Sequence, residues 1–250
     1  GAAGEKLLPE TMGGGCALID FDSDGDQDLL FVNSCYWPWD PRSQGTDQPT
    51  MALYANDGQA KFTDVTNAAG LNITFFGQGV AVGDYDNDGD PDLFFSAVGT
   101  NHLLRNDGGK YVDVTTETGV AGSPDQWTSS CGWLDYDNDG DLDLFVARYV
   151  EWTRDFDRQQ NFQLTGGGRA YGRPQNFPGT FPSLYRNDGG RFTDVAKEAG
   201  LHVVNPATEV PAAKALGVTF VDVDRDGWLD ILVANDTVQN FLFHNRQNGT

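Results

Sequence analysis

Four copies of one acidic nine-residue loop run through the sequence, and each has the residue types of a site for a hard cation. The copies are DFDSDGDQD (20–28), DYDNDGDPD (84–92), DYDNDGDLD (135–143) and DVDRDGWLD (222–230). Asp occupies the first, third, fifth and ninth positions of every copy, and Gly occupies the sixth. Carboxylates at alternate positions of a tight loop converge on one point, and the Gly permits the turn that brings the ninth Asp back.

We predict one Ca²⁺ per loop, about four ions in all, bound by the four aspartates and by the backbone carbonyl of the seventh residue. Four carboxylates within about 5 Å repel one another by roughly 3 kcal/mol per pair at an effective dielectric of 20, so each loop needs a cation. Five protein oxygens in a flexible loop favour Ca²⁺ over Mg²⁺, and the absence of His and Cys from the loops argues against zinc or copper. The predicted ligands are Asp20, Asp22, Asp24, Asp26 and Asp28; Asp84, Asp86, Asp88, Asp90 and Asp92; Asp135, Asp137, Asp139, Asp141 and Asp143; and Asp222, Asp224, Asp226, Trp228 and Asp230.

The loops begin like the calcium loop of an EF-hand, but their surroundings differ. An EF-hand needs a Glu at position twelve and a helix on each side. Position twelve is Phe31, Phe95, Val146 or Val233 in these loops. Apolar runs typical of β-strands precede and follow every loop, for example QGVAVGD before the second loop and DLFFSA after it. We therefore expect each loop to be the turn of a β-hairpin.

A second motif follows the acidic loops and completes a longer repeat. It reads LYANDGQAKFTDV (53–65), LLRNDGGKYVDV (103–114) and LYRNDGGRFTDV (184–195), and a fourth copy begins at LFHNRQNGT (242–250). Asn-Asp-Gly between apolar runs predicts a hairpin, because these residues tolerate positive φ. Four antiparallel strands per unit, repeated about every 50 residues, are typical of β-propeller blades.

We predict an all-β fold that forms a single, partial β-propeller domain. Four blades are the lower limit for a closed propeller, so we expect this chain to be part of a ring of about seven blades. The predicted domain spans 1–250, with blades at approximately 12–66, 78–115, 127–195 (with an insertion at 151–182) and 214–250, the last of them incomplete.

The two longest insertions, 35–50 and 151–182, fall between the second and third strands of their units. Because strands alternate in direction, both insertions lie on the side opposite the acidic loops. We call this side the insertion face and take it as the candidate recognition surface for a protein or glycan partner. The partner-binding candidates are Trp37, Trp39, Trp152, Arg154, Tyr171 and Arg173. The alternative is that these side chains pack on one another as a small core.

Composition narrows the classes of function. The formal net charge is −21, with 37 acidic residues, which excludes nucleic acid as a partner. The sequence has no run of 18 apolar residues, so we expect no membrane-spanning segment. Calcium sites of this kind fill at millimolar Ca²⁺, which favours an extracellular or periplasmic location. The chain is also a candidate subunit of a larger assembly.

The repeat GVAVGDYDNDGDPDLFFS (79–96) followed by LLRNDGGKYVDVTTETGV (103–120) resembles the FG-GAP or VCBS repeat of integrin-α-like propellers. Segments 13–33, 169–201 and 214–245 are similar to the cartilage acidic protein family, whose bacterial members are called ASPIC/UnbV-type. The resemblance implies a secreted or periplasmic propeller with Ca²⁺ at Asp20, Asp22, Asp24, Asp28 and their counterparts. It implies no established enzyme activity.

Our preferred interpretation is a non-enzymatic propeller, stabilised by calcium, that acts as an interaction or structural subunit. One alternative is an enzyme acting on polysaccharides, for which Arg154, Asp155, Asp157 and Arg173 are the available titratable groups on the insertion face. The other alternative is a lectin that stacks sugars on Trp37 or Trp39.

Overall fold

Four antiparallel sheets follow one another along the chain, and an acidic loop joins the first two strands of each sheet. The computed structural model describes residues 4–45 and 47–250. The first sheet contains β1 (Cys16–Ile19), β2 (Asp28–Phe31), β3 (Ala52–Asn56) and β4 (Phe62–Asp64), and the second contains β5 (Phe76–Gly83), β6 (Asp92–Val98), β7 (His102–Asn106) and β8 (Tyr111–Asp113). The third contains β9 (Thr128–Leu134), β10 (Asp143–Arg148), β11 (Ser183–Asn187) and β12 (Phe192–Asp194), and the fourth contains β13 (Ala215–Val221), β14 (Asp230–Asn235) and β15 (Phe241–Phe243).

Strands that are neighbours in a sheet are also neighbours in the sequence. The first three sheets have four strands, and the fourth has three among the described residues. This up-and-down pattern is that of propeller blades. The predicted all-β fold is therefore confirmed.

Each acidic loop is the turn of a β-hairpin. Ile19 pairs with Asp28 across the first loop, and Gly83 pairs with Asp92 across the second. The third and fourth loops have the same register. The ninth Asp is therefore the first residue of the second strand, and strands rather than helices flank every loop. This finding confirms that the loops are not EF-hands.

Apolar side chains fill the space between successive sheets. The cluster between the first and second sheets includes Leu30 and Phe95, neither of which is accessible to solvent. Glycine in one sheet makes room for an aromatic ring of the next, since a Cβ atom at Gly83 would lie 2.6 Å from the ring of Trp133. The same holds where Phe220 of the fourth sheet approaches the third. Close packing of this kind fixes the spacing between sheets and hence between their loops.

The helices are short and lie outside the sheets. They are α1 (Thr115–Thr118), α2 (Arg154–Gln159) and 3₁₀ turns at Leu8–Thr11, Pro41–Gln44 and Pro174–Asn176. Thr153 caps α2, because its Oγ1 accepts a hydrogen bond from the N–H of Phe156 at 3.2 Å. Among the described residues, no helix has the length and apolar character needed to cross a membrane.

Asp157 of α2 joins the third-sheet insertion to the start of the chain. Its side chain is fully buried and accepts three hydrogen bonds. The donors are the N–H of Leu8 at 2.7 Å, Nε1 of Trp152 at 2.8 Å and a guanidinium nitrogen of Arg169 at 2.5 Å. A buried carboxylate with this many donors is held firmly in place. Removing it leaves the N–H of Leu8 and Nε1 of Trp152 without an acceptor, while Arg169 keeps its bond to the backbone carbonyl of Asp157 at 2.8 Å.

We expect Asp157→Ala to lower the free energy of unfolding by about 3 kcal/mol, because two N–H donors lose their acceptor and the half-buried Arg169 guanidinium loses its carboxylate partner. Urea unfolding followed by tryptophan fluorescence measures this change. The matched control is Asp155→Ala on the exposed side of the same helix, which should change stability by less than about 0.5 kcal/mol. Equal effects of the two substitutions would contradict the role assigned to Asp157.

Candidate metal centres

The backbone of each acidic loop turns in the same way. The sixth-position glycines have φ between 91° and 97°, a region that L side chains rarely adopt. The N–H of Gly25 donates to the first-position carboxylate of Asp20 at 3.1 Å, and Gly89 donates to Asp84 at 2.9 Å. The third and fourth loops have the same hydrogen bond. The turn therefore points the first carboxylate into the concave side of the loop.

Carboxylates from the first, third and ninth positions converge in three of the loops. One side-chain oxygen from each lies within 4.8 Å of the others, as expected for ligands that could hold one metal ion. The groups are Asp20, Asp22 and Asp28; Asp84, Asp86 and Asp92; and Asp135, Asp137 and Asp143. In the fourth loop the first, third and fifth positions converge, through Asp222, Asp224 and Asp226.

The fifth-position side chains lie outside the first three of these groups. Asp24 instead accepts the N–H of the seventh residue at 2.9 Å, and Asp88 and Asp139 do the same. The seventh-position side chains contact neighbouring turns, because Asp90 accepts the N–H of Gly108 at 2.8 Å and Asp141 accepts Nδ2 of Asn87 at 2.9 Å. Ligation by the fifth side chain and the seventh carbonyl stays a prediction.

The ninth Asp is the buried member of every loop, at no more than 1% exposure. In the second loop, Asp92 accepts the N–H of Tyr85 at 3.0 Å through Oδ2 and the N–H of Asn106 at 2.8 Å through Oδ1. The equivalent pairs of bonds hold the ninth Asp of the other loops. These bonds orient the carboxylate toward the loop and tie the third strand of each sheet to its first hairpin.

Burial makes the charge on these carboxylates costly. It raises the pKa of Asp92 to about 7, although the N–H groups of Asn106 and Tyr85 lower it. The same balance raises the pKa of Asp143 to about 7. At the third position, burial and then the neighbouring carboxylates raise the pKa values of Asp86 and Asp137. The second and third loops therefore concentrate negative charge that the protein alone does not neutralise.

Two carboxylate oxygens in the loops are buried without a hydrogen-bond donor. They are Oδ1 of Asp20 at the first position of loop one and Oδ1 of Asp137 at the third position of loop three. A buried anionic oxygen without a donor is unfavourable, whereas a cation on the concave side of the loop would satisfy it. The donor set and these two oxygens both fit a hard cation.

His244 was missed by the sequence reasoning, which considered only residues within the loops. It comes from the end of β15, and its Nδ1 lies 3.0 Å from Oδ1 of Asp230. Its Nε2 lies 3.7 Å from Oδ2 of Asp224, so the three side chains form a further group that could hold a metal. An alignment of the copies of the second motif could have singled out His244, because the other copies have Arg105 and Arg186 at this position.

The aromatic candidates of the first insertion pack on one another, as the small-core alternative expects. Only 4% of Trp37 is accessible to solvent. Its ring stacks on Phe76 at 4.0 Å, on Trp39 at 5.0 Å and on Trp152 at 5.4 Å between centroids. The guanidinium of Arg154 lies 4.4 Å from the centre of the Trp39 ring. These rings form a small core.

The other two candidates, Tyr171 and Arg173, are exposed on the second insertion. Next to the stacked rings lie two adjoining cavities of about 570 and 560 Å³, which share Gln126 and Trp152 in their walls. The structure thus separates the partner-binding candidates into a buried stack and exposed side chains at some distance along the chain. Which of them bind a partner stays a prediction.

Comparison with known proteins gives one family. The model of the FG-GAP-like repeat matches residues 20–95, 92–146 and 170–233, which together make up more than half of the chain. The first two matches include the first three acidic loops, and the third includes the fourth loop. A search of curated proteins found no match.

The raised pKa values predict how the stability of the metal-free protein depends on pH. Because the folded-state pKa values of Asp92 and Asp143 exceed the ordinary 3.8, the folded chain binds more protons than the unfolded chain between about pH 4 and pH 7. Stability contributed by these protons is present below about pH 4 and is lost as pH rises through 7. We expect the free energy of unfolding to fall by more than about 1 kcal/mol per carboxyl across this range.

Urea unfolding of metal-stripped protein at about pH 5 and about pH 8 measures this difference. The control is the double variant Asp92→Asn/Asp143→Asn, which removes both titrating groups and should flatten the profile. A metal-free protein that gains stability between these two pH values, relative to the double variant, would contradict the assignment.

Proposed function

This chain belongs to the FG-GAP-like repeat family, and from that premise we propose that it is a calcium-binding propeller segment that serves as a non-enzymatic interaction subunit. The ions have a structural role, and the insertion face receives a protein partner. The convergence of carboxylates in the acidic loops, two of whose oxygens are buried without a hydrogen-bond donor, is the observation that carries the proposal.

Calcium fits these loops better than magnesium does. The ligands are carboxylate oxygens on a flexible turn, and the first and ninth positions are fixed by hydrogen bonds to backbone N–H groups. Mg²⁺ requires an octahedron and keeps several waters, whereas Ca²⁺ accepts six to eight oxygens in irregular arrangements. A bound Ca²⁺ supplies the positive charge that offsets repulsion among the carboxylates.

The residues of the loop then do the structural work. The ninth Asp holds the third strand by accepting a hydrogen bond from the backbone N–H of the Asn at the end of that strand. Asp143 accepts this bond from Asn187 at 2.8 Å. Neutralising the loop therefore stabilises three strands of one sheet rather than the turn alone. This is why we assign the ions a structural role.

A protein is a better partner for the insertion face than a glycan. Sugar stacking needs a free aromatic face, but Trp37 is buried between other rings and Trp39 is covered by Trp37 and Arg154. The adjoining cavities instead combine apolar side chains, such as Trp152 and Phe156, with polar ones, such as Asp125, Gln126 and Arg148. Mixed apolar and hydrogen-bonding walls suit a polypeptide segment.

The titratable groups of the insertion face support a non-enzymatic role. Arg154 donates two hydrogen bonds to Glu5, at 2.9 and 2.5 Å, and Asp157 binds Arg169. The first pair holds the insertion against the start of the chain, and the second lies within the insertion. A catalytic group must be turned toward a substrate, whereas Arg154 and Asp157 are turned toward these partners.

The location and the closer relationship belong to the same proposal. Calcium at millimolar concentration fills loops of this kind outside the cytosol, which supports an extracellular or periplasmic protein. Among FG-GAP proteins, the sequence of the third-sheet insertion and of segment 214–245 supports a relationship to the cartilage acidic protein and ASPIC/UnbV-type group.

Calcium should raise the melting temperature of the protein. Free Ca²⁺ at a hundred times the Kd of one site adds about 2.7 kcal/mol, which corresponds to roughly 5–10 °C for a chain of this size. Differential scanning fluorimetry of metal-stripped protein, with Ca²⁺, with Mg²⁺ and with EDTA, measures the shift. Identical melting curves in Ca²⁺ and EDTA would overturn the proposal.

A single loop can be tested in the same way. Asp137→Ala removes the third-position ligand of loop three, and we expect calorimetric titration to give one bound Ca²⁺ fewer than the unaltered chain. The matched control is Asp125→Ala, an exposed acid on the insertion face, which should leave the stoichiometry unchanged. Unchanged stoichiometry in Asp137→Ala would show that the ions bind elsewhere.

The choice of a protein over a glycan partner also makes a prediction. We expect a glycan array probed with calcium-loaded protein to show no binding that Trp39→Ala removes, because Trp37 stacks on this ring and the Arg154 guanidinium lies 4.4 Å from its centre. Tyr171→Ala serves as the comparison, since this ring is 41% exposed. Glycan binding that is lost in either variant while the melting temperature is unchanged would favour the lectin alternative.

A further inference from the structure

An asparagine at the end of the third strand joins each sheet to the sheet before it. In the second sheet, the side-chain Nδ2 of Asn106 donates to the backbone carbonyl of Phe21 at 2.9 Å. Phe21 is the second residue of the first acidic loop. Asn187 donates to the carbonyl of Tyr85 at 2.8 Å, and Asn245 donates to the carbonyl of Tyr136 at 2.7 Å. Each asparagine therefore reaches the loop of the preceding sheet.

Each of these asparagines, and each loop residue that its side chain contacts, also donates a backbone hydrogen bond to a ninth-position carboxylate. The backbone N–H of Asn187 donates to Asp143 in its own sheet at 2.8 Å, while its side chain holds Tyr85 of the preceding loop. The N–H of Tyr85 in turn donates to Asp92 at 3.0 Å. The same sequence of bonds links Asp92 to Asp28 and Asp230 to Asp143, so one hydrogen-bonded relay passes through all four ninth-position aspartates.

The relay is buried at two of its three crossings between sheets. Asn106 and Asn187 have no solvent-accessible surface, and the ninth-position aspartates that they contact are equally buried. At the third crossing, Asn245 is half-buried. The side-chain Oδ1 of Asn187 also accepts the N–H of Gly190 at 2.7 Å, which fixes the amide in one orientation. Buried hydrogen bonds with no competing water transmit a displacement at one end to the other.

Neighbouring loops also touch directly. Nδ2 of Asn87 in loop two donates to Oδ1 of Asp141 in loop three at 2.9 Å, and Nδ2 of Asn138 in loop three donates to the carbonyl of Gly227 in loop four at 3.3 Å. These contacts are exposed, so water competes with them. They bring adjacent loops together, but the buried relay is the stronger link.

We infer that the metal sites of adjacent sheets bind cooperatively, with Asn106, Asn187 and Asn245 as the positioning residues that couple them. This inference rests on the proposed calcium binding. An ion in loop three fixes Asp143, which fixes Asn187 and, through Tyr85, the ninth carboxylate of loop two. By thermodynamic linkage, an ion in loop two raises the affinity of loop three for its ion by the same factor.

The sixth-position glycines allow each site to be observed separately. The N–H groups of Gly25, Gly89, Gly140 and Gly227 donate to the first-position carboxylates of their loops, so their NMR signals report ion binding loop by loop. The experiment titrates Ca²⁺ into metal-stripped, isotope-labelled chain and fits the four signals independently. Loop three is disabled with Asp137→Asn, and the titration is repeated.

We expect Asp137→Asn to weaken Ca²⁺ binding at Gly89 and Gly227 by about fivefold or more, with a change of less than about twofold at the distant Gly25. Adding Asn187→Ser removes the side-chain link between loops two and three but keeps the backbone N–H. In that background the effect of Asp137→Asn should fall below about twofold at Gly89 and persist at Gly227.

Asn56→Ser is the matched control for the asparagine substitutions. The side chain of Asn56 donates to the carbonyl of Gln27 in its own sheet at 3.1 Å and reaches no preceding loop. It should alter binding at Gly25 alone. Asn106→Ser tests the link between loops one and two independently, in case Asn187→Ser does not fold.

Two negative results have different meanings. Signals of Gly25, Gly89 and Gly227 that titrate with Ca²⁺ but respond equally, or not at all, to Asp137→Asn would overturn the coupling and leave the proposed calcium binding intact. Glycine signals that do not respond to Ca²⁺ in the unaltered chain would overturn the proposed function itself. An effect of Asp137→Asn on Gly89 that survives Asn187→Ser would show that the asparagines are not the coupling residues.

Discussion

The arrangement of this protein depends on a buried carboxylate at the last position of each acidic loop. Both oxygens of Asp92 accept backbone N–H groups, one from its own loop and one from the third strand of the sheet. Because an aspartate with two such bonds cannot move without breaking them, the turn, the second strand and the third strand keep fixed positions. The sheet is therefore organised around its acidic end rather than around its apolar centre alone.

Burying these carboxylates is unfavourable, and the protein offsets that cost in two ways. Hydrogen bonds lower the pKa values of Asp92 and Asp143, yet burial still raises both to about 7. A cation held on the concave side of the loop would neutralise the remaining charge. We therefore propose that a bound ion stabilises each loop, and from this a structural role for calcium follows more naturally than a catalytic one.

The insertion face is held together by different interactions. Stacked rings around Trp37 and the buried Asp157 close the insertions over the ends of the sheets, without any acidic loop. Under the proposed function, the two sides of the molecule respond to different conditions. We expect metal and pH to act on the loops, and a protein partner to act on the cavities beside Gln126 and Trp152. The sheets join the two sides through their strands.

The sequence by itself determined the fold class and most of the candidate ligands, because both depend on local spacing. Alternate aspartates with a Gly at the sixth position specify a turn, and the apolar runs beside it specify strands. Tertiary structure decided what depends on contacts between distant residues. Only packing could bury Trp37 beneath neighbouring rings or set Asn187 against the loop of another sheet. Spacing along the chain does not reveal which turns meet when separate sheets pack side by side.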